Sequence, residues 1–214
     1  MFWKVTLALL EGFGQNAIIF FVTLFLSLPL GLVIAFGVMS KNRILSSITK
    51  TAIWIIRGTP LMLQLFVVFY VPGLVFGMPF HSRMTATLIA FVINYSAYFA
   101  EIYRGAIESI HKQQFEAGYD LGSNKFYLFV KVILPQAFVL CLAPMGNEVI
   151  TLIKDTSLAR VIAISEILMR ATEYTTQGLI WPLFYTGVFF LAGTAVITKV
   201  FRGLEKRFRW RVVY

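Results

Sequence analysis

The chain holds few residues that could do chemistry, and their placement matters more than their number. Glu148 is the only charged side chain in the apolar run Val132–Ile153, and it follows Asn147, Gly146 and Pro144. A carboxylate in that setting costs roughly 2.5–3.5 kcal/mol to insert into a bilayer unless something positive meets it. Glu148 therefore reads either as a partner for a substrate's positive group, or as half of a structural pair with Arg57 or with a residue across a dimer. Lys154 and Asp155 follow about two turns on, as an interfacial ion pair or as further pathway residues. Asn147 has free amide atoms for substrate, or for carbonyls that Pro144 leaves without a donor. Arg57, Thr59 and Gln64 flank Pro60, which cannot donate to the Ile56 carbonyl and so predicts a broken helix. Asn94, Ser96 and Tyr98 are polar positions in another apolar run, where polar glue between helices is the common use. Glu101 and Arg104 are three apart and are expected to pair.

Several chemistries are absent from this inventory. One cysteine, Cys141, cannot form an intramolecular disulfide, and His81 and His111 lie far apart, so no metal site is expected. The sequence has no GxxxxGK[ST], HExxH, GxSxG or GxGxxG. The chain does not read as a self-contained enzyme, and no cofactor is expected on it.

The elements that must position these residues are membrane helices. Of 214 residues 58% are hydrophobic and 14% charged, against about 45–50% and 25% in soluble domains. Mean hydropathy is +0.78. The stretches Ala17–Met39, Gly58–Phe80, Met84–Ala100, Val132–Ile153 and Gly178–Thr198 are each near the ~20 residues that a spanning helix needs. Backbone groups inside lipid must pair internally, so these are helices. The expectation is one all-α polytopic membrane domain over residues 1–214, with helices near 17–39, 52–77, 84–103, 132–153 and 178–200. Phe2–Leu10 reads as a separate short interfacial helix, and Leu158–Met169 as a short helix tucked against the membrane.

Net charge is +9. In a soluble protein that would suggest nucleic acid; here it suggests basic cytoplasmic loops, with no nucleic-acid partner. Thirteen Lys/Arg fall after the first, third and fifth helices, including Arg209 and Arg211 in the tail, and five fall on the other side. The bias predicts the N-terminus outside and the C-terminus in the cytoplasm.

The long cytoplasmic connection, 105–131, carries the most specific pattern. Gln113–Gly122 reads QQFEAGYDLG and leads into SNKFYLFVKVILP. Glu116-Ala117-Gly118, then Gly122, then Val132-Ile133-Leu134-Pro135 resemble the E-A-A-x-x-x-G-x9-I-x-L-P signature of bacterial ATP-binding-cassette (ABC) importer permeases. Gly118 replaces the second Ala, and Val132 the first Ile. Arg57-Gly58-Thr59-Pro60-Leu61 with Gln64, Asn94–Tyr98 with Ala100–Gly105, and Asn147-Glu148 with Lys154-Asp155-Thr156-Ser157-Leu158 resemble segments of the polar amino acid permeases within that group.

The resemblance implies a type I ABC importer permease fold with five core helices per subunit. It implies two subunits around one pathway, with a homodimer as the better guess, and a binding protein that delivers an amino acid from outside. Glu116, Ala117, Gly118, Leu121 and Gly122 would dock on a cytoplasmic ABC ATPase dimer that binds ATP and Mg. The bacterial cytoplasmic (inner) membrane is the implied location. Glu148 and Asp155 favour basic amino acids (Arg, Lys, His). Glutamine, another neutral polar amino acid or cystine is the alternative. A passive channel or ion-coupled carrier is the reading of a different class, and it would not need the Glu116–Pro135 signature.

Overall fold

A computed structural model describes residues 1–208; Arg209 and Arg211 of the basic tail lie outside them. Among the described residues every regular element is helical. The helices are α1 (Phe2–Val38), α2 (Arg43–Gly58), α3 (Leu61–Phe76), α4 (Arg83–Glu108), α5 (Lys112–Asp120), α6 (Lys125–Leu128), α7 (Leu134–Asp155), α8 (Ile167–Thr175) and α9 (Trp181–Phe208). A π turn, Phe129–Ile133, leads into α7, and a 3₁₀ turn, Thr156–Ile162, leaves it. Four stretches are long and apolar enough to span a membrane, and five if the bent pair α2–α3 is one span.

α4 is the hub. It packs along α1 and also meets α2, α3 and α7, while α9 packs on α7 and α8. Over its most apolar 18 residues α4 is 56% buried and α9 only 6%, so α4 is the interior helix and α9 lies on the outside of the bundle. The beginnings of α1, α4 and α9 gather with α8 at one end of the bundle. The end of α1 gathers with α2 and the later part of α4 toward the other, where α5 follows α4 in the chain.

Several helices differ from the lengths that hydropathy suggests. Phe2–Leu10 is not a separate interfacial helix. It is the first part of α1, whose 37 residues span about 55 Å. Val5 and Leu9 are buried against Ile167 and Ala171, which keeps the helix intact beyond its apolar core. Gly12 makes this approach possible, because a Cβ there would lie 2.9 Å from the Ile167 backbone. The second helix is two pieces, α2 and α3, bent by 105° at Thr59-Pro60, as the proline predicts.

α4 runs past residue 103 to Glu108, held by Arg104 pairing with both Glu101 and Glu108. Leu158–Met169 is not one helix. The 3₁₀ turn stops at Ala163, at φ +59°, and Glu166 starts α8 anew as its N-cap. α7 runs through Pro144 and Gly146 without unwinding.

Candidate functional site

Asn42 caps α2, accepting from the Ile44 N–H at 3.0 Å, and the helix then runs to the break at Thr59-Pro60. Gln64 closes that break. Its Nε2 donates to the Ile56 carbonyl at 2.7 Å, the carbonyl that Pro60 leaves without a helical donor, and to Thr59 O at 3.2 Å and Oγ1 at 2.9 Å. Asn94 on α4 donates to Gln64 Oε1 at 3.1 Å, fixing the amide. Gln64 thus staples the bend and borders an apolar cavity of about 260 Å³ beside it.

The bend forms one wall of a second, polar cavity of about 460 Å³. That volume falls in the ~300–1,000 Å³ range of small-molecule sites. Arg57 and Thr59 come from the bend, Asn94, Tyr95 and Tyr98 from α4, and Glu148, Thr151 and Asp155 from α7. The α7 residues recur at i, i+3 and i+7, one face of a helix. Asn147 points elsewhere: it is exposed, and its carbonyl accepts from Thr151.

The charged groups of the cavity are unevenly matched. Arg57 lies 3.9 Å from Glu101 and stacks over the Tyr98 ring, 5.1 Å from its centroid. Glu148 forms no ion pair among the described residues, so the alternative of an Arg57–Glu148 pair does not form. Its charged neighbours are Asp155 and Arg57. Asp155 is not paired with Lys154 but accepts from the Tyr95 hydroxyl at 2.8 Å. Tyr95 is buried, and the carboxylate it holds is half-buried. The cavity therefore offers two carboxylates, one with its oxygens free and one holding a hydroxyl, with its cation drawn aside.

At the opposite end, α5 presents Glu116, Ala117 and Leu121 to solvent, with Leu121 85% exposed. Gly118 is buried because α5 folds onto α6 there; a Cβ would lie 2.5 Å from Leu128 Cδ1. Gly122 turns the chain at φ +77°, a conformation that glycine adopts without strain. Gln136 on α7 donates to Gln114 on α5 at 2.7 Å, so the exposed surface is tied to the helix that carries Glu148.

Residues 27–210 match the family described as the binding-protein-dependent transport system inner membrane component. The chain belongs to that family. This permease is 34% identical over 210 residues to the probable amino-acid ABC transporter permease protein YckA of Bacillus subtilis (strain 168), covering 93% of this chain and 88% of that one. It is 34% identical over 211 residues to the glutamine transport system permease protein GlnP of Escherichia coli (strain K12), covering 97% and 95%. A crystal structure of an amino acid ABC transporter with histidines superposes with a TM-score of 0.87 at 28% identity, covering 96% of each chain. The permease thus has the type I ABC importer fold and is the inner membrane component of a binding-protein-dependent transport system.

Two features of the permease escaped the sequence reading. Tyr95 was legible only as part of a motif; nothing local says that its hydroxyl reaches Asp155, 60 residues on. Glu166 lies within the apolar stretch Leu158–Met169, with nothing local to mark it. It is fully buried, with Asn16 and Thr156, in a second polar cluster.

Proposed function

We propose that this permease passes a polar amino acid, with a preference for basic ones, through the cavity between the α2–α3 bend, α4 and α7. The observation that carries the reading is the pair of carboxylates Glu148 and Asp155 in one cavity whose only cation, among the described residues, is engaged by Glu101 and Tyr98. Every amino acid has an α-ammonium for one carboxylate; a basic side chain supplies a second cation. Each gains a charge-assisted hydrogen bond in a low dielectric.

The permease works by alternating access, with its N-terminus outside the bacterial cytoplasmic membrane and its C-terminus inside. A substrate-binding protein delivers the amino acid at the α8 end. A separate ABC ATPase dimer, which binds ATP and Mg, docks on Glu116, Ala117, Leu121 and the Gly118–Gly122 turn. ATP closes that dimer and α5 moves with it. The Gln114–Gln136 bond and the Gly118–Leu128 contact carry the motion to α7 and so to Glu148, and the cavity opens outward. Hydrolysis reopens it inward. A second copy of the chain completes the pathway across a two-fold axis, the commonest closed symmetry. Asn147, exposed in the middle of an apolar helix, is a polar group that a partner would cover and lipid would not.

Uptake by Glu148→Gln tests the reading. Loss of one charged contact worth about 1.5–3 kcal/mol lowers arginine and lysine uptake on the order of 10-fold or more. Unchanged uptake of both, or no competition by either against wild type, removes the basic preference. A second reading, a neutral polar amino acid such as glutamine, is favoured by the Tyr95–Asp155 bond. With Asp155 occupied, Glu148 alone serves an α-ammonium. In that case glutamine competes better than arginine.

A further inference from the structure

Three buried polar side chains from distant parts of the chain meet at the α8 end of the bundle: Asn16 of α1, Thr156 at the close of α7, and Glu166 before α8. Asn16 is 1% exposed and the other two 0%. Glu166 takes the free N–H groups at the start of α8, from Leu168 at 2.9 Å and Met169 at 2.7 Å. Asn16 Oδ1 takes the next, from Ile167 at 3.0 Å. The Asn16 amide then faces both ways. It donates to Glu166 Oε2 at 3.3 Å and to Thr156 Oγ1 at 2.9 Å, and Thr156 donates in turn to the Ile153 carbonyl at 2.7 Å.

A helix cap needs only Glu166. The bond from Asn16 to Thr156 does something further, because Thr156 is the residue after Asp155. It stands where α7, ending at Asp155, tightens into the 3₁₀ turn. One turn before Asn16, on the same face of α1, Gly12 lies against the Ile167 backbone, so α1 and α8 are clamped at two successive turns. The contacts form one path from α8 through Asn16 and Thr156 to Asp155 in the cavity.

We propose that Asn16, Glu166 and Thr156 are positioning residues that set where Asp155 sits in the cavity, so that the placement of α8 governs substrate engagement. The inference rests on Asp155 being a cavity residue for the amino acid. Nothing in the network touches the cavity directly, and its effect on transport passes through Asp155.

The test is a double-mutant cycle between Asn16→Leu and Asp155→Asn. It uses the assembled permease, ATPase and binding protein in proteoliposomes, with whichever of tritiated L-arginine and L-glutamine the wild type carries. Each single variant is expected to lower uptake by about 10-fold, the loss of one charged or oriented contact. The double variant should fall within about 2-fold of Asp155→Asn alone, because the two changes act on one element. A double variant down by the product, about 100-fold, overturns the inference, since separate structural damage adds. Wild-type uptake by Asn16→Leu overturns the inference and leaves the cavity reading standing. Wild-type uptake by Asp155→Asn removes that residue from the cavity reading and the inference with it. Should Asn16→Leu fail to assemble, Thr156→Val, which keeps the shape and deletes only the hydroxyl, enters the same cycle with the same expectations.

Discussion

The permease contains two polar regions in apolar surroundings, and they are built on opposite plans. In the Asn16–Thr156–Glu166 cluster the carboxylate is fully buried and accepts three hydrogen bonds, two from the start of a helix and one from an amide. In the cavity, Glu148 is half-buried, beside about 460 Å³ of space, with no bonded partner among the described residues. A satisfied buried carboxylate specifies one arrangement of the chain around it. One left open beside a void is available to a ligand. Burial alone therefore does not mark the functional acid in this protein; what separates the two is whether the chain's own donors have used up the oxygens.

That contrast can be broken by moving a group from one class to the other. The largest effect should come from an outward-facing residue. Glu116→Lys, on the exposed face of α5, should leave the protein assembled and stable while abolishing substrate-stimulated ATP hydrolysis by the complex. Normal stimulation would detach the loop from coupling.

Next, Glu148→Gln and Glu166→Gln should separate in kind. The first is expected to lower basic amino acid uptake without lowering the melting temperature. The second places an amide N–H against a backbone donor and should destabilise the fold by about 1–3 kcal/mol. Equal melting temperatures would erase the distinction drawn between the regions.

Gln64→Leu should be smaller. It leaves Asn94 without its Gln64 acceptor and the Ile56 carbonyl with only the longer bonds from the Thr59 N–H at 3.4 Å and Oγ1 at 3.3 Å, which costs about 0.5–1.5 kcal/mol. A thermal-shift measurement on the purified permease checks it.

Tyr95→Phe frees Asp155 without disturbing the packing, and should shift the ratio of arginine to glutamine uptake toward arginine by a few-fold. An unchanged ratio would mean that the hydroxyl does not limit Asp155.

The smallest effect concerns pH. Glu166 lies beyond the membrane-spanning segments. Burial pushes its carboxyl above the usual carboxylate range, against the opposing hydrogen bonds of Leu168, Met169 and Asn16. A carboxyl raised in the fold favours the folded state while protonated, and that contribution is lost as pH rises through the folded value. Relative to Glu166→Gln, the wild type should gain melting temperature as pH falls, and a loss instead would contradict that sign.

Much of the fold was legible because each signal was local. Twenty-residue apolar runs, the proline at position 60, and the i, i+3 pair of Glu101 and Arg104 need only nearby residues to be read. The length of α1 was not legible, because Val5 and Leu9 stay helical through contacts with Ile167 and Ala171, more than 150 residues away. A proline removes one donor, but whether a helix then unwinds depends on what packs around it, and α7 continues through Pro144.

The candidate site divides in the same way. Residue types and spacing along the chain determined the class of machine: the Glu116–Pro135 pattern, the helix break at Pro60 and the intramembrane Glu148 are properties of short segments, and the physics they encode acts within a few turns. Tertiary structure decided which polar groups remain free. Gln64 and Asn94 form a staple at the bend, Arg57 turns to Glu101 and Tyr98, Asp155 is held by Tyr95, and Glu166 is consumed by a helix start. A hydrogen bond forms wherever folding brings donor and acceptor within about 3 Å. Partners 60, 140 and 150 residues apart, as in Tyr95–Asp155, Asn16–Thr156 and Asn16–Glu166, become neighbours only once the helices have packed.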